Sequence, residues 1–307
     1  MLKVTSRWSH QSSIKIEWNL GKRCNYDCSY CPASIHDNSS LHTDIAILKA
    51  TVDKLKTLGK PIRLSFTGGE PTVHPKFREL IKYCNHVGIS WISVTTNGTM
   101  PYEFYSGLEV DQLVFSIHLE YDWKRVFNTI ESTVKLGTAS VIAQIMAHHD
   151  HMPAAMQLRA RCLLAEIPST VRRIRWTEGD HDLFDDMRYN LNDLEWIKEQ
   201  ESTVKENTVF FLKEEPDMPR LMHANDIVKL HLNKFKEWSC NAGIESLMIN
   251  WDGDMHRATC RVGGSLGNIY TGTFIVPSAP IVCDRNFCTC AADIPLTKQV
   301  VSEKSSD

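Results

Sequence analysis

Along the first 180 residues, short runs of alternating apolar and polar positions trade places with longer stretches whose apolar positions recur every three or four residues. Ile14-Lys15-Ile16-Glu17-Trp18 has period two. Residues 43–58 then carry Ile45, Leu48, Val52 and Leu55 and stop at Gly59, with Pro61 beyond, which predicts a helix and its end. Further strands are expected at residues 62–66, 89–96, 110–120, 140–147 and 171–176, and helices at 75–87, 122–136 and 154–166. Strands alternating with helices imply βα units around a parallel sheet. About six units are too few for a closed eight-stranded barrel. A partial barrel or a doubly wound sheet fits, and in both, ligands gather at the C-terminal ends of the strands.

The pattern changes after Trp176. Residues 178–188 are acidic and loop-like, 191–201 read as a helix, and 214–219 read as a linker with two prolines. From about Asp226 the chain is short-patterned, Gly-rich and cysteine-bearing. The expected division is a main domain over 1–225 and a module over 226–307, the latter small enough to need a metal as a staple. The first strand is expected at about residue 13, without a separate peptide-recognition domain ahead of it. Net charge is −3, from 34 Lys+Arg against 37 Asp+Glu, so bulk attraction to nucleic acid or to an anionic membrane is not implied. No apolar run reaches the roughly 18 residues of a membrane span, and Met1-Leu2-Lys3-Val4-Thr5-Ser6-Arg7 has no apolar signal core. A cytoplasmic, reducing location is therefore expected, where the 10 cysteines serve more naturally as metal ligands than as disulfides.

Cys24, Cys28 and Cys31 stand at CxxxCxxC spacing directly after the first strand. Three thiolates within eight residues can wrap a cubane iron–sulfur cluster and leave its fourth iron open. With Tyr30 before the last cysteine, the motif resembles the radical S-adenosylmethionine (SAM) superfamily. Ser65-Phe66-Thr67-Gly68-Gly69-Glu70-Pro71 after the next strand matches that family's GGE motif, and Thr96-Asn97-Gly98 ends the third strand, where related proteins contact the cofactor. The resemblance implies a [4Fe-4S] cluster whose open iron is chelated by SAM. It implies too that the backbone of Gly68 and Gly69 and the carboxylate of Glu70 hold the SAM amino group, with Tyr30, Asn97 and Ser116 as further cofactor contacts. The expected fold becomes an α/β partial (β/α)6 TIM-like barrel with a small C-terminal cysteine-rich β-hairpin/helix module.

On the strand over 110–120, Ser116, His118 and Glu120 share the polar face. His118 and Glu120, nearest its C-terminal end, are the candidate catalytic residues. Gln144, Met146 and His148 share a face on the next strand, and Arg173 and Arg175 on the one after, where they would suit an anionic substrate group. His148-His149-Asp150-His151 looks like a metal-ligand run, although neighbours in a strand point apart. Cys84 and Cys162 fall in helical patterns and read as small buried residues.

Cys240-Asn241-Ala242-Gly243, a strand at 246–250, an Asp-Gly turn, Cys260, Gly267-Asn268-Ile269, then Cys283, Cys288 and Cys290 resemble the SPASM/Twitch extensions, which hold auxiliary iron–sulfur clusters. Five cysteines imply one such cluster. The long Gly253-to-Cys260 gap and the CxxxxCxC ending depart from the usual pattern, so which four thiols ligate is open. The resemblance implies reductive cleavage of SAM to a 5′-deoxyadenosyl radical, hydrogen abstraction, and rearrangement, oxidation or bond formation assisted by the auxiliary cluster. The reductant would be of flavodoxin or ferredoxin type and the substrate a small molecule or nucleotide. Isomerisation of an N-linked to a C-linked glycinyl thymine in phage-type DNA, ribosomal-peptide maturation and a non-enzymatic zinc module are the alternatives.

Overall fold

A computed structural model describes residues 1–6, 13–33, 36–174, 188–204, 208–212, 214–288 and 290–301. Its elements begin with β1 (Lys3–Ser6), β2 (Ile14–Asn19), α1 (Ile45–Lys56), β3 (Ile62–Thr67), α2 (Phe77–His86), β4 (Trp91–Thr96) and α3 (Tyr102–Ser106). Next come β5 (Gln112–His118), α4 (Trp123–Leu136), β6 (Ser140–Ala147), α5 (Met152–Leu164), β7 (Ser169–Arg173) and α6 (Leu191–Glu199). The remainder is β8 (Thr208–Phe211), β9 (Arg220–Met222), α7 (Ala224–Lys229), β10 (Ser239–Cys240), β11 (Ser246–Ile249) and β12 (Asp254–His256). It closes with β13 (Ser265–Asn268), β14 (Thr273–Phe274), β15 (Ile281–Val282) and β16 (Lys298–Gln299).

Strands β2 to β7 lie side by side in sequence order, every neighbour parallel. A doubly wound sheet reverses its strand order part-way; this one does not, which selects the partial barrel. It is open. The alternation in each strand explains the layering. Ile14, Ile16 and Trp18, Ile62, Leu64 and Phe66, and Leu113, Phe115 and Ile117 are buried under the helices, where Leu48, Val52, Leu80, Val126, Ile130 and Leu158 meet them. Cys84 and Cys162 are fully buried in this core, as their helical settings suggested. Helices α1 and α4 start on side-chain caps: Asp44 accepts from the Ala46 N–H (2.7 Å) and Asp122 from the Arg125 N–H (3.1 Å).

The opposite strand faces line the concave side. Register brings successive pairs onto this face: Glu17 with Ser65, Ser65 with Ser93, Ser116 with Gln144, and Met146 with Arg172. Paired residues point to the same side. The inward arginine of β7 is therefore Arg172. Arg173 pairs with the buried Ala147 instead, which corrects the sequence reading by one position; Arg175 lies outside the described residues.

Two long-range pairings were not legible. Strand β11 pairs parallel with β2, from Ser246 opposite Lys15 to Ile249 opposite Trp18, and carries β12, β13 and β14 onto the edge of the barrel sheet. The second sheet runs β15-β10-β16-β1-β8-β9. A strand therefore precedes residue 13; it hydrogen-bonds with β16 from beyond residue 226, and β8–β9 join the same sheet through its other edge. Helix α1 is tied to the C-terminal hairpin through Lys54 Nζ, which donates to the carbonyls of Ile269 (2.6 Å) and Tyr270 (2.9 Å).

Replacing that ammonium takes a donor from the Tyr270 carbonyl and leaves that of Ile269 with the Gly272 N–H alone (3.2 Å). Lys54→Met is expected to cost about 1–3 kcal/mol in urea unfolding, whereas Lys56→Met, on the same helix but away from this joint, should cost less.

Candidate active site

The loop leaving β2 carries the first three cysteines and is closed at its base. The Cys24 N–H donates to the Asp37 carbonyl (2.7 Å) and the Asp37 N–H to that of Lys22 (2.9 Å). The turn after β3 is seated directly on this base: the Gly69 N–H donates to Gly21 O (2.8 Å) and the Glu70 N–H to Arg23 O (2.9 Å). The approach leaves no room for a side chain. A Cβ on Gly69 would stand 2.3 Å from Lys22 O and 2.4 Å from Arg23 O, and Gly68 adds a φ of +125°. The two glycines are thus required by contact between two stretches of backbone.

Glu70 is buried, and its carboxylate accepts from the Thr72 N–H (3.1 Å), Thr72 Oγ1 (2.6 Å), Thr96 Oγ1 (2.8 Å) and the Asn97 N–H (2.6 Å). Burial pushes its carboxyl up, and these donors oppose the shift. Three of these donors meet Oε1 and one meets Oε2. The carboxylate therefore locks the end of β4 to the end of β3, where the resemblance implied that it holds the SAM amino group. Asn97 in turn donates to Asn25 Oδ1 (2.8 Å), and Asn25 donates to Thr99 Oγ1 (2.8 Å), fixing the cysteine loop from its other side.

Cys24 Sγ accepts from the Tyr26 N–H (3.4 Å) and from Asn97 Nδ2 (3.9 Å), bonds that suit a thiolate. Burial is the main influence on all three thiols and pushes each up, Cys31 to about 11; thiol neighbours add to this at Cys28 and Cys31, and the Glu70 charge at Cys24. A cation or metal must supply the opposing charge for them to ionise together. Tyr26 stacks on Tyr121, with centroids 3.7 Å apart, and the Tyr121 hydroxyl accepts from the Asp27 N–H (2.5 Å).

The two candidate catalytic residues serve this same loop. Tyr30 Oη and Cys28 Sγ stand 2.5 and 3.3 Å from His118 Nδ1, and burial holds the imidazole down to about 4. Glu120 accepts from the Ser29 N–H (3.1 Å). His148 Nδ1 accepts from the Asp150 N–H (3.2 Å), which places its proton on Nε2, 3.3 Å from Ser29 Oγ and 3.7 Å from Glu120. Ser116 accepts from Gln144 Nε2 (3.2 Å) on the concave face. Residues 149–151 form a 3-10 turn, not a strand, and so His148, His149 and Asp150 bring their ligand atoms within 4.8 Å of one another. Among the described residues, the cysteine triplets are spread more widely than this.

The second cysteine group surrounds a small cavity lined by Cys240, Cys260, Cys283 and Cys288 together with Asp293 and Lys298. Cys290 is not among the lining residues. It sits instead beside Asp293, Glu17, Thr259 and Lys15, and burial pushes its thiol up to about 11.

Residues 18–151, which span the cysteine loop, the GGE turn and the polar strand faces, match the family model described as the Radical SAM superfamily. Over those residues the chain is similar to the radical SAM superfamily. Its similarity to an S-adenosylmethionine-dependent nucleotide dehydratase of Selenomonas ruminantium is 31% identity over 33% of this chain and 40% of that one. With an Fe-coproporphyrin III synthase of Methanosarcina barkeri, identity is 36% over 31% and 23%. The chain thus spans less than half the length of the curated relatives it matches. Among solved structures, anSMEcpe with bound AdoMet and Kp18Cys peptide superposes with TM-score 0.56 at 16% identity, covering 85% of this chain and 78% of that one. SuiB of Streptococcus suis bound to S-adenosylmethionine gives 0.55 at 14% identity, covering 85% and 64%. These likenesses show a shared fold.

Within that fold, Lys298, Asp293 and Tyr121 are additions that no local pattern in the sequence marks. Only Tyr121, next to the polar face of β5, carries a signal that proximity to Glu120 could have raised. Because the cysteine loop rests on the glycine turn, Gly69→Ala should displace backbone, cost about 1–3 kcal/mol and lower iron retention at the first cysteine group, read by iron analysis after anaerobic reconstitution. Gly59→Ala faces no contact within 4 Å and should leave iron content unchanged.

Proposed function

We propose that this chain is a radical SAM enzyme with two iron–sulfur clusters. Cys24, Cys28 and Cys31 would hold a [4Fe-4S] cluster with one iron left for SAM, and Cys240, Cys260, Cys283 and Cys288 would hold an auxiliary cluster. When bound, these groups supply a 5′-deoxyadenosyl radical that removes a hydrogen atom from unactivated carbon, together with a second one-electron centre. The observation that carries the reading is the three-thiol loop seated on the Gly68–Gly69 turn, with Cys24 Sγ already accepting N–H bonds. Four thiols about one cavity support the auxiliary cluster. A single zinc at about 2.3 Å from each sulfur would draw its ligands to about 3.8 Å of one another, closer than the cysteine triplets stand.

The protein's own part is positioning. Tyr30, His118, Glu120 and His148 form a half-buried polar wall against the cysteine loop, so His118 and Glu120 are proposed to orient that loop and the substrate beside it. Ser116, Gln144 and Arg172 face the concave side from the strands that follow. Burial pushes the Glu17 carboxyl up, and Lys15, and less strongly Arg172, oppose the shift. A cation pair around one carboxylate suits a small molecule or nucleotide bearing an anionic group, and the nucleotide dehydratase relative supports the same class. Electrons would come from a flavodoxin- or ferredoxin-type reductant.

Anaerobic reconstitution should load about eight irons per chain, four per cubane, and dithionite should release 5′-deoxyadenosine from SAM. Bound zinc without SAM cleavage would overturn the proposal. Cys28→Ala should abolish release. Cys288→Ala should halve the iron and keep release measurable, while Cys290→Ala should retain the full iron content.

A further inference from the structure

The wall of the auxiliary cavity holds a charge with no part in the chemistry so far. Lys298 on β16 is 2% exposed. Its ammonium donates to the carbonyls of Asp293 (2.5 Å), Ile294 (3.1 Å) and Leu296 (3.2 Å), so all three of its protons are committed. The Phe235 ring closes another side, 5.3 Å from Nζ. Burying an ammonium costs several kcal/mol, and carbonyl dipoles satisfy its protons without cancelling its charge. The neighbouring acid, Asp293, accepts from Thr259 Oγ1 (2.5 Å) and the Cys260 N–H (3.1 Å) and keeps its negative charge, so it is one partner of the ammonium. The lining thiolates are the others. Register puts them in reach: Lys298 and Cys240 are a directly opposed antiparallel pair, and both side chains line the same cavity.

We propose that Lys298 is the fixed counter-charge of the auxiliary cluster and raises its reduction potential. This rests on the reading that Cys240, Cys260, Cys283 and Cys288 hold a cluster. One-electron reduction adds a negative charge to such a centre, and a desolvated cation at cross-strand distance stabilises the reduced state more than the oxidised one; net charge and solvent exposure are among the terms that set these potentials. The three carbonyl bonds keep the ammonium from swinging out to water when the electron arrives.

The test is an EPR-monitored redox titration of the full chain carrying Cys24→Ala, Cys28→Ala and Cys31→Ala, which leaves the second centre alone in the spectrum. Lys298→Gln should shift the one-electron equilibrium toward the oxidised state at least tenfold, a fall of about 59 mV or more, and Lys298→Arg should stay within that margin. Four irons with an unmoved potential in Lys298→Gln would overturn the role of Lys298 alone. Zinc in place of iron before Lys298 is touched would overturn the auxiliary cluster and the counter-charge together. Should Lys298→Gln not fold, pulsed EPR on protein labelled with ¹⁵N-lysine decides: a lysine nitrogen coupling that Lys298→Arg removes is expected, and its absence overturns the proposal.

Discussion

The site depends on one approach of backbone to backbone. The cysteine loop leaves β2 and the glycine turn leaves β3, two parallel neighbours whose register is set from Ile14 opposite Ile62 to Asn19 opposite Thr67. Carrying that pairing past the strand ends brings Gly69 and Glu70 onto the carbonyls of Gly21 and Arg23. Glu70 then reaches across to Asn97, and Asn97 to Asn25, so the ends of three adjacent strands are cross-linked around the thiols. A loop of about 15 residues loses considerable entropy on ordering. Here that cost is met by hydrogen bonds to a rigid sheet, which lets three sulfurs keep their places beside one another.

The same interaction explains why His118 and Glu120 do two things at once. They project from and just beyond the end of β5, two strands away from the glycine turn, and close the far side of the loop at Cys28 and Ser29. A protonated imidazole there would have to be desolvated beside the other buried groups, and burial accordingly favours its neutral form. The polar wall is therefore part of the scaffold that fixes the sulfurs, and a substrate would meet it already assembled.

Much of this was readable in the chain. The succession of short β-rich and longer helical runs located all six barrel strands, and in β2, β3 and β6 burial alternates as it does at Ile14, Ile16 and Trp18. The CxxxCxxC and GGE segments were legible because their chemistry is local. What stayed hidden is non-local. Lys3–Ser6 is four residues of unremarkable alternation, and only its partners, β8 and β16, make it a strand. Arg172 was displaced by one place because β7 is short and its direction is set by register with β6. Lys298 reads as an ordinary polar residue until Cys240 is laid opposite it. The choice of Cys288 over Cys290 as a lining thiol follows from backbone path, which spacing alone does not determine.

Strand β1 lies between β8 and β16, with Lys3 opposite both Phe211 and Gln299. At roughly 5–20 residues per second of synthesis, the first of these neighbours leaves the ribosome at least about ten seconds after β1, and the second several seconds after that. The barrel strands, whose partners follow one another along the chain, can pair while translation continues. The four-cysteine cavity cannot, because its roof includes the final strand. That cavity is therefore completed only after β16 has been made, later than the barrel strands beside it.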